Sequence, residues 1–202
     1  MKNNQQKLFI ISGPSAVGKN TIIDGVKKLL PEVKETISCT TRQKRLGEID
    51  GVHYYFLTDE EFKAKIANNE FLETFIVHGM RYGTLKSEIE RIRKNGHLPF
   101  AVLDVQGALY LKQHYSGTVL IFIKPDSWEE LERRLRARDT KPEELELRLH
   151  NAQNELMQAK FFDYQIVNHT GKPERAIKEM TDIIKQKINK IKRPWVTIQP
   201  RS

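Results

Sequence analysis

A five-residue apolar run, Leu8–Ser12, leads straight into Gly13-Pro-Ser-Ala-Val-Gly18-Lys19-Asn20-Thr21, and an amphipathic stretch to Leu30 follows. The spacing Gly-x4-Gly-Lys, set between a strand and the start of a helix, is a phosphate-binding loop in its required context. Few local patterns restrict a fold so tightly. Successive backbone N–H groups must turn inward around a polyphosphate, so glycine stands at the tightest points. The helix behind the loop offers unpaired N–H groups and a positive dipole end, and Lys19 adds a mobile charge for the outer phosphates. Gly13, Pro14, Ser15, Ala16, Val17, Gly18, Lys19, Asn20 and Thr21 are therefore the candidate triphosphate site. The pattern asks for Ser or Thr after the lysine as a Mg²⁺ ligand. Asn20 stands there, so either its amide oxygen or the Thr21 hydroxyl is the candidate for a hard cation.

Alternation along the rest of the chain fits such a loop. Apolar runs at Phe100–Asp104, Thr118–Ile123 and Tyr164–Val167 read as buried strands. Helical signals lie between them: Asn20–Leu30 closed by Pro31, Leu85–Lys94, Ala108–Gln113, and a last helix from Pro173 to Lys192 with Ile177, Met180, Ile184, Ile188 and Ile191 on one face. Thr58-Asp-Glu-Glu61 and Ser127-Trp-Glu-Glu130 have the spacing of capping boxes. Strands alternating with helices predict an α/β fold, a parallel sheet flanked by helices on both faces. Two regions break the rhythm. Residues 34–77 carry short candidate strands at Glu35–Cys39, His53–Leu57 and Glu73–Val77 around a helix at Asp59–Asn68, which reads as an inserted mixed α/β lobe. Arg133–Lys160 is a charged helical stretch interrupted near Asp139–Pro142, which reads as a mobile lid.

With 202 residues, the chain suffices for one well-buried domain with small attachments. No apolar stretch approaches the roughly 18 residues needed to cross a bilayer, and the polar residues before Leu8 do not resemble a signal peptide. A single cysteine, Cys39, has no internal partner and reads as a packing residue, which makes a reducing cytoplasm the natural compartment. The net charge of +8 includes a cluster at Lys185, Lys187, Lys190, Lys192 and Arg193 that reads as a solvated helix face, so neither membrane nor nucleic-acid binding is expected. The six histidines show no metal-ligand spacing.

The acceptor is suggested by motifs further on. Ser38-Cys-Thr-Thr-Arg42-Gln-Lys-Arg45-Leu-Gly-Glu48-Ile-Asp-Gly51-Val-His-Tyr54, Asn69-Glu-Phe-Leu-Glu73, Tyr82-Gly-Thr84, Leu103-Asp104-Val-Gln106-Gly107 and Ile166-Val-Asn168 follow the phosphate loop in order. Together they resemble the guanylate kinase family, over about Leu8 to Ile191. The resemblance implies transfer of the γ-phosphate of ATP to GMP with Mg²⁺, in a P-loop NTPase fold. It implies that Arg42, Arg45, Tyr54 and Tyr82 hold the acceptor phosphate, that Ser38, Glu73 and Thr84 read guanine, and that Asp104 lies beside the acceptor. It also implies that Arg134, Arg138 and Arg148 reach the phosphates from the lid, with Lys19 and Arg42 completing the catalytic set, and that Asn168 lies near adenine. The expected organisation is a guanylate-kinase-like domain over residues 6–188: core at 6–37, 99–132 and 161–191, GMP-binding lobe at 38–98, lid at 133–160, and a tail at 192–202.

Residue chemistry agrees without the resemblance. Arginines three apart beside tyrosine hydroxyls can clamp a phosphate. A carboxylate accepts from guanine N1–H and the exocyclic amine, whereas adenine presents a bare acceptor there. Taken singly, each has a plainer reading. Arg42 and Arg45 suit a surface ion pair equally well, Glu73 suits a solvated strand end, and the lid arginines could pair with Glu132, Glu143 and Glu144. Departures from the family pattern, at Ala16, Asn20, Val102, Asp139 and a lid one residue short, fall on the ATP, metal and lid side. Two other functions compete. A related kinase of a ribose bisphosphate would lack the guanine readers, and a non-catalytic binding module would lack Lys19.

Overall fold

The computed structural model describes residues 7–77, 79–137 and 142–189. Strand β1 (Leu8–Ser12) is buried at every position, and its alternating side chains feed two separate apolar layers. Phe9 and Ile11 pack with Ile22 and Val26 of α1 (Lys19–Leu29) and with Ala176, Met180 and Ile184 of α7 (Pro173–Asn189). Leu8 and Ile10 face the other way, onto Ala108 and Leu111 of α4 (Val105–His114) and Ile89 of α3 (Lys86–Lys94). A strand covered on both faces needs a continuous apolar run, the signature of a parallel sheet interior. The sheet has five strands in the order β2 (Val33–Glu35), β7 (Leu98–Val102), β1, β8 (Thr118–Pro125), β9 (Tyr164–Asn168), all parallel. The phosphate loop leaves the carboxyl end of the central strand, where open α/β sheets bind their ligands.

A second sheet of four strands lies in the order β4 (Tyr55–Phe56), β3 (Cys39–Thr40), β6 (Met80–Leu85), β5 (Phe71–Val77). Helix α2 (Asp59–Ala67) covers it, started by a complete capping box between Thr58 and Glu61. Its small core is Cys39, Phe62 and Phe71, with the two phenyl rings stacked at 4.4 Å. Helices α5 (Trp128–Arg136) and α6 (Pro142–Gln158) occupy the stretch expected to form a lid.

Several sequence expectations need correction. Residues 35–39 are not one strand: Val33–Glu35 joins the core sheet and Cys39–Thr40 the second sheet. The second sheet also continues past Val77 to β6, a strand that the polar sequence Met-Arg-Tyr-Gly-Thr-Leu conceals. Asp104 does not end a strand. It caps α4 with its side chain accepting from Gly107 N, and the helix begins three residues before the predicted Ala108. At Ser127 half of the expected capping box forms, because the Glu130 carboxylate is held by Arg133 and Arg134 instead. Ile191 lies outside the described residues.

Candidate active site

The phosphate loop is held open by its own surroundings. Gly13 and Gly18 adopt φ of +146° and +95°. A Cβ on Gly13 would sit 2.4 Å from Ile123 O, and one on Gly18 would sit 2.4 Å from Asn168 Nδ2. Ala16 also has positive φ, at 65°, in the position where the family usually has glycine. Lys19 folds back to donate to Gly13 O and, at 2.9 Å, to Pro14 O. Asn168, almost fully buried, donates from Nδ2 to Val17 O at 2.7 Å. This residue, expected near adenine, thus also fastens the loop to the last core strand. Asn20 and Thr21 are exposed on the first turn of α1.

A cleft of about 820 Å³ opens beside the loop, lined by Ser15, Arg45, Asp104, Arg148 and Glu155 among others. It draws together the phosphate loop, the second sheet's leading loop, the α4 N-terminus and α6. Burial raises the Asp104 carboxyl above its usual range against the hydrogen bonds from Gly107 and Gln106. Glu155 was not anticipated. Burial raises its carboxyl too, while Lys19 pulls it down and Asp104 pushes it up, so these three charges share one field. The signal was available: Arg148 and Glu155 lie seven apart, on one face of α6.

On the second sheet, Glu73 is 4% exposed, and neither carboxylate oxygen has a hydrogen-bond partner among the described residues. Thr84 lies directly opposite on β6. Its dipole favours the anion, yet no hydrogen bond closes between them, and its hydroxyl is also buried and unpaired. Desolvation by burial pushes Glu73 up to about 7, with the Asp104 charge adding to it. Along the same strands, Phe75 stacks on Tyr82 at 5.9 Å and Tyr82 meets Tyr54 edge-on at 6.0 Å. The Arg42 guanidinium lies 5.4 Å from the Tyr54 ring centroid and 5.7 Å from that of Phe56. Ser38, half-buried, precedes β3 and its carbonyl accepts from Tyr55 N.

The arginines are not bare. Arg42 pairs with Glu48 at 2.7 Å, Arg134 with Glu130 at 2.7 Å, and Arg148 with Glu144 at 2.6 Å. Arg134 additionally donates to Thr170 Oγ1, two residues beyond Asn168, so it reaches the donor side of the core sheet. Arg138 lies outside the described residues. Cys39 is fully buried with its thiol pushed up to about 12 by desolvation, as suits a packing residue.

A guanylate kinase family model matches residues 5–187. The guanylate kinase of Thermotoga maritima is 43% identical over 188 residues, 93% of this chain and 90% of that protein. That of Helicobacter pylori is 39% identical over 191 residues, 94% of this chain and 92% of that protein. The crystal structure of guanylate kinase from Anaplasma phagocytophilum superposes with a TM-score of 0.69 at 31% identity, covering 89% of this chain and 85% of that one. With a family model matching residues 5–187 and relatives about 40% identical over most of their length and of this one, the chain belongs to the guanylate kinase family.

Proposed function

We propose that the protein transfers the γ-phosphoryl group of ATP to GMP, giving ADP and GDP, with guanine chosen by Glu73 and Thr84. The observation that carries the base assignment is the pair of unpartnered acceptors on Glu73. A buried carboxylate without donors costs about 1–3 kcal/mol or more in an empty protein, and guanine N1–H and its exocyclic amine supply the two donors it lacks. Adenine would set a lone pair against the same oxygens. The Thr84 hydroxyl, also unpaired, can turn to a ring nitrogen or carbonyl of the base.

Arg42, Arg45, Tyr54 and Tyr82 then hold the acceptor phosphate. Ser38 and Asp104 border the nucleoside. On the donor side the loop from Gly13 to Thr21 wraps the triphosphate, Lys19 exchanges the Gly13 and Pro14 carbonyls for phosphate oxygens, and Arg134, Arg138 and Arg148 reach the chain of phosphates from the α5–α6 segment. The bond from Pγ to the bridging oxygen of ADP breaks as a phosphate oxygen of GMP bonds to Pγ. Such a transfer asks for alignment and positive charge rather than a covalent catalyst. Closure of α6 over the cleft would exclude water, so that ATP is not hydrolysed.

Mg²⁺ fits this site. A phosphate-borne Mg²⁺ keeps most of its waters and takes one or two protein oxygens, and the exposed Asn20 amide or Thr21 hydroxyl at the head of α1 offers one. When bound, it neutralises charge on the β- and γ-phosphates. No described helix is long and apolar enough to cross a membrane, and the reading places the enzyme in the cytoplasm. The test is ADP release from ATP and Mg²⁺ with GMP, AMP, UMP or a ribose bisphosphate as acceptor. Turnover with GMP far above the others is expected; equal rates with a ribose bisphosphate would overturn the assignment.

A further inference from the structure

Arg42 has five N–H hydrogens to place, and three are already taken. Nη1 donates to Gln43 O at 2.7 Å and to Glu48 Oε2 at 2.9 Å, while Nη2 donates to Glu48 Oε1 at 2.7 Å. The Glu48 carboxylate therefore grips the end of the guanidinium fork. Nε–H and the second Nη2–H remain, and these two point from one side edge of the same plane. The guanidinium carbon lies 5.4 and 5.7 Å from the Tyr54 and Phe56 ring centroids, and the Tyr82 hydroxyl stands near enough to accept from the guanidinium until a phosphate takes its place. A phosphate approaching that edge meets two parallel donors in the bidentate arrangement that guanidinium offers to oxyanions.

We infer that Glu48 is a positioning residue for phosphate recognition, holding one edge of Arg42 so that the other edge faces the acceptor phosphate. The inference rests on the proposed GMP site. A different role is conceivable for a carboxylate found on an arginine in an empty site: it could stand where the phosphate will bind and leave when it arrives. The surroundings argue against that. Glu48 Oε2 also accepts from Arg45 N at 2.7 Å, and Glu48 N donates to Arg45 O at 3.1 Å, so residues 45–48 are closed in both directions. Displacing the side chain would strip the Arg45 amide as well as Arg42. Hydrogen bonds from the Arg42 guanidinium and the Arg45 amide hold the Glu48 carboxyl down at about 2, so it remains an anion throughout the neutral range.

The two roles predict opposite signs. Steady-state kinetics and calorimetry on the full chain with Glu48→Gln and Glu48→Ala separate them. Positioning predicts a KM for GMP raised about tenfold or more in Glu48→Ala and less in Glu48→Gln, with KM for ATP within about twofold. Guanosine, which lacks the phosphate, should bind all three proteins equally by calorimetry, a result that general damage to the lobe would not give. A lowered KM for GMP would show Glu48 to be a displaced stand-in, and an unchanged one would leave it without a part in recognition. Parallel weakening of guanosine would make its role structural only. Any of these three findings overturns the inference while leaving the GMP reading intact. Absence of GMP turnover in the unsubstituted protein would instead remove that reading, and the inference with it.

Discussion

The donor and acceptor sides of the site differ in how their charged groups are satisfied within the protein. Around the phosphate loop the charged group has internal partners, since Lys19 rests on loop carbonyls. Asn168 Nδ2 donates to Val17 O, although Asn168 Oδ1 and Ser12 Oγ are buried without a bond among the described residues, and the two glycines lie against β8 and β9 with no room for a methyl group. On the second sheet the Glu73 carboxylate and the Thr84 hydroxyl are buried without a hydrogen bond among the described residues. The difference teaches where selectivity resides. A loop shaped by backbone alone accepts any polyphosphate, whereas a buried anion lacking donors is stabilised by a ligand that supplies them. On the proposed reading, the donor side supplies geometry and the acceptor side discrimination.

Substitutions can break that contrast, beginning with the largest effect. Lys19→Ala should lower kcat by about a thousandfold or more while leaving the melting temperature nearly unchanged, because the lysine's bonds are to a loop that the glycines already shape; near-normal turnover would remove Lys19 from the chemistry. Glu73→Gln should raise KM for GMP about a hundredfold, through the loss of a charge-assisted pair worth about 2–3 kcal/mol. Unlike Lys19→Ala, it should stabilise the empty protein.

The pH dependence sharpens the same point. Glu73 is pushed up to about 7 from 4.5, so the empty fold tolerates the neutral acid and resists the anion. Its contribution to stability is fully present below about 4.5 and is lost as pH rises through about 7, amounting to roughly 3 kcal/mol. Thermal melts of the empty protein should show Glu73→Gln gaining on the unsubstituted chain between pH 5 and pH 8. A constant gap would mean that Glu73 is not titrating there. GMP affinity should move oppositely, rising as the carboxylate ionises.

The remaining donor-side substitutions should yield smaller changes. Gly18→Ala forces a methyl group against Asn168 at a φ of +95°, and a loss of about 1–3 kcal/mol in stability is expected from denaturant unfolding. The smallest effect is expected at Asn20→Ser, a rise of about two- to fivefold in kcat at limiting Mg²⁺ if the amide is the weaker ligand. No change would mean that the metal is held elsewhere than at residue 20.

Much of the donor side was legible because it is local. The strand, the loop and the helix occur within some twenty residues, and each element carries its own signal. The acceptor side is assembled from β3, β5 and β6, which meet only through long-range pairing such as Glu73↔Thr84. The polar strand β6 has little apolar alternation, so periodicity could not reveal it. Motif resemblance named Glu73, but the burial that empties its surroundings is a property of the packed lobe. Asp104 shows a missed local signal, since an Asp before a helical run is a common N-cap. The ion pairs were half legible: Arg134 and Arg148 pair with glutamates four residues before them, as helix spacing suggests. The Arg42–Glu48 pair depends on a loop conformation that no spacing rule supplies.

The most direct test of guanine choice is the ratio of kcat/KM for GMP to that for AMP, measured in the unsubstituted protein and in Glu73→Gln. The account predicts a ratio above about a thousand that falls by about a hundredfold or more when the carboxylate becomes an amide. An unchanged ratio would contradict it and move the reading of the base to other residues.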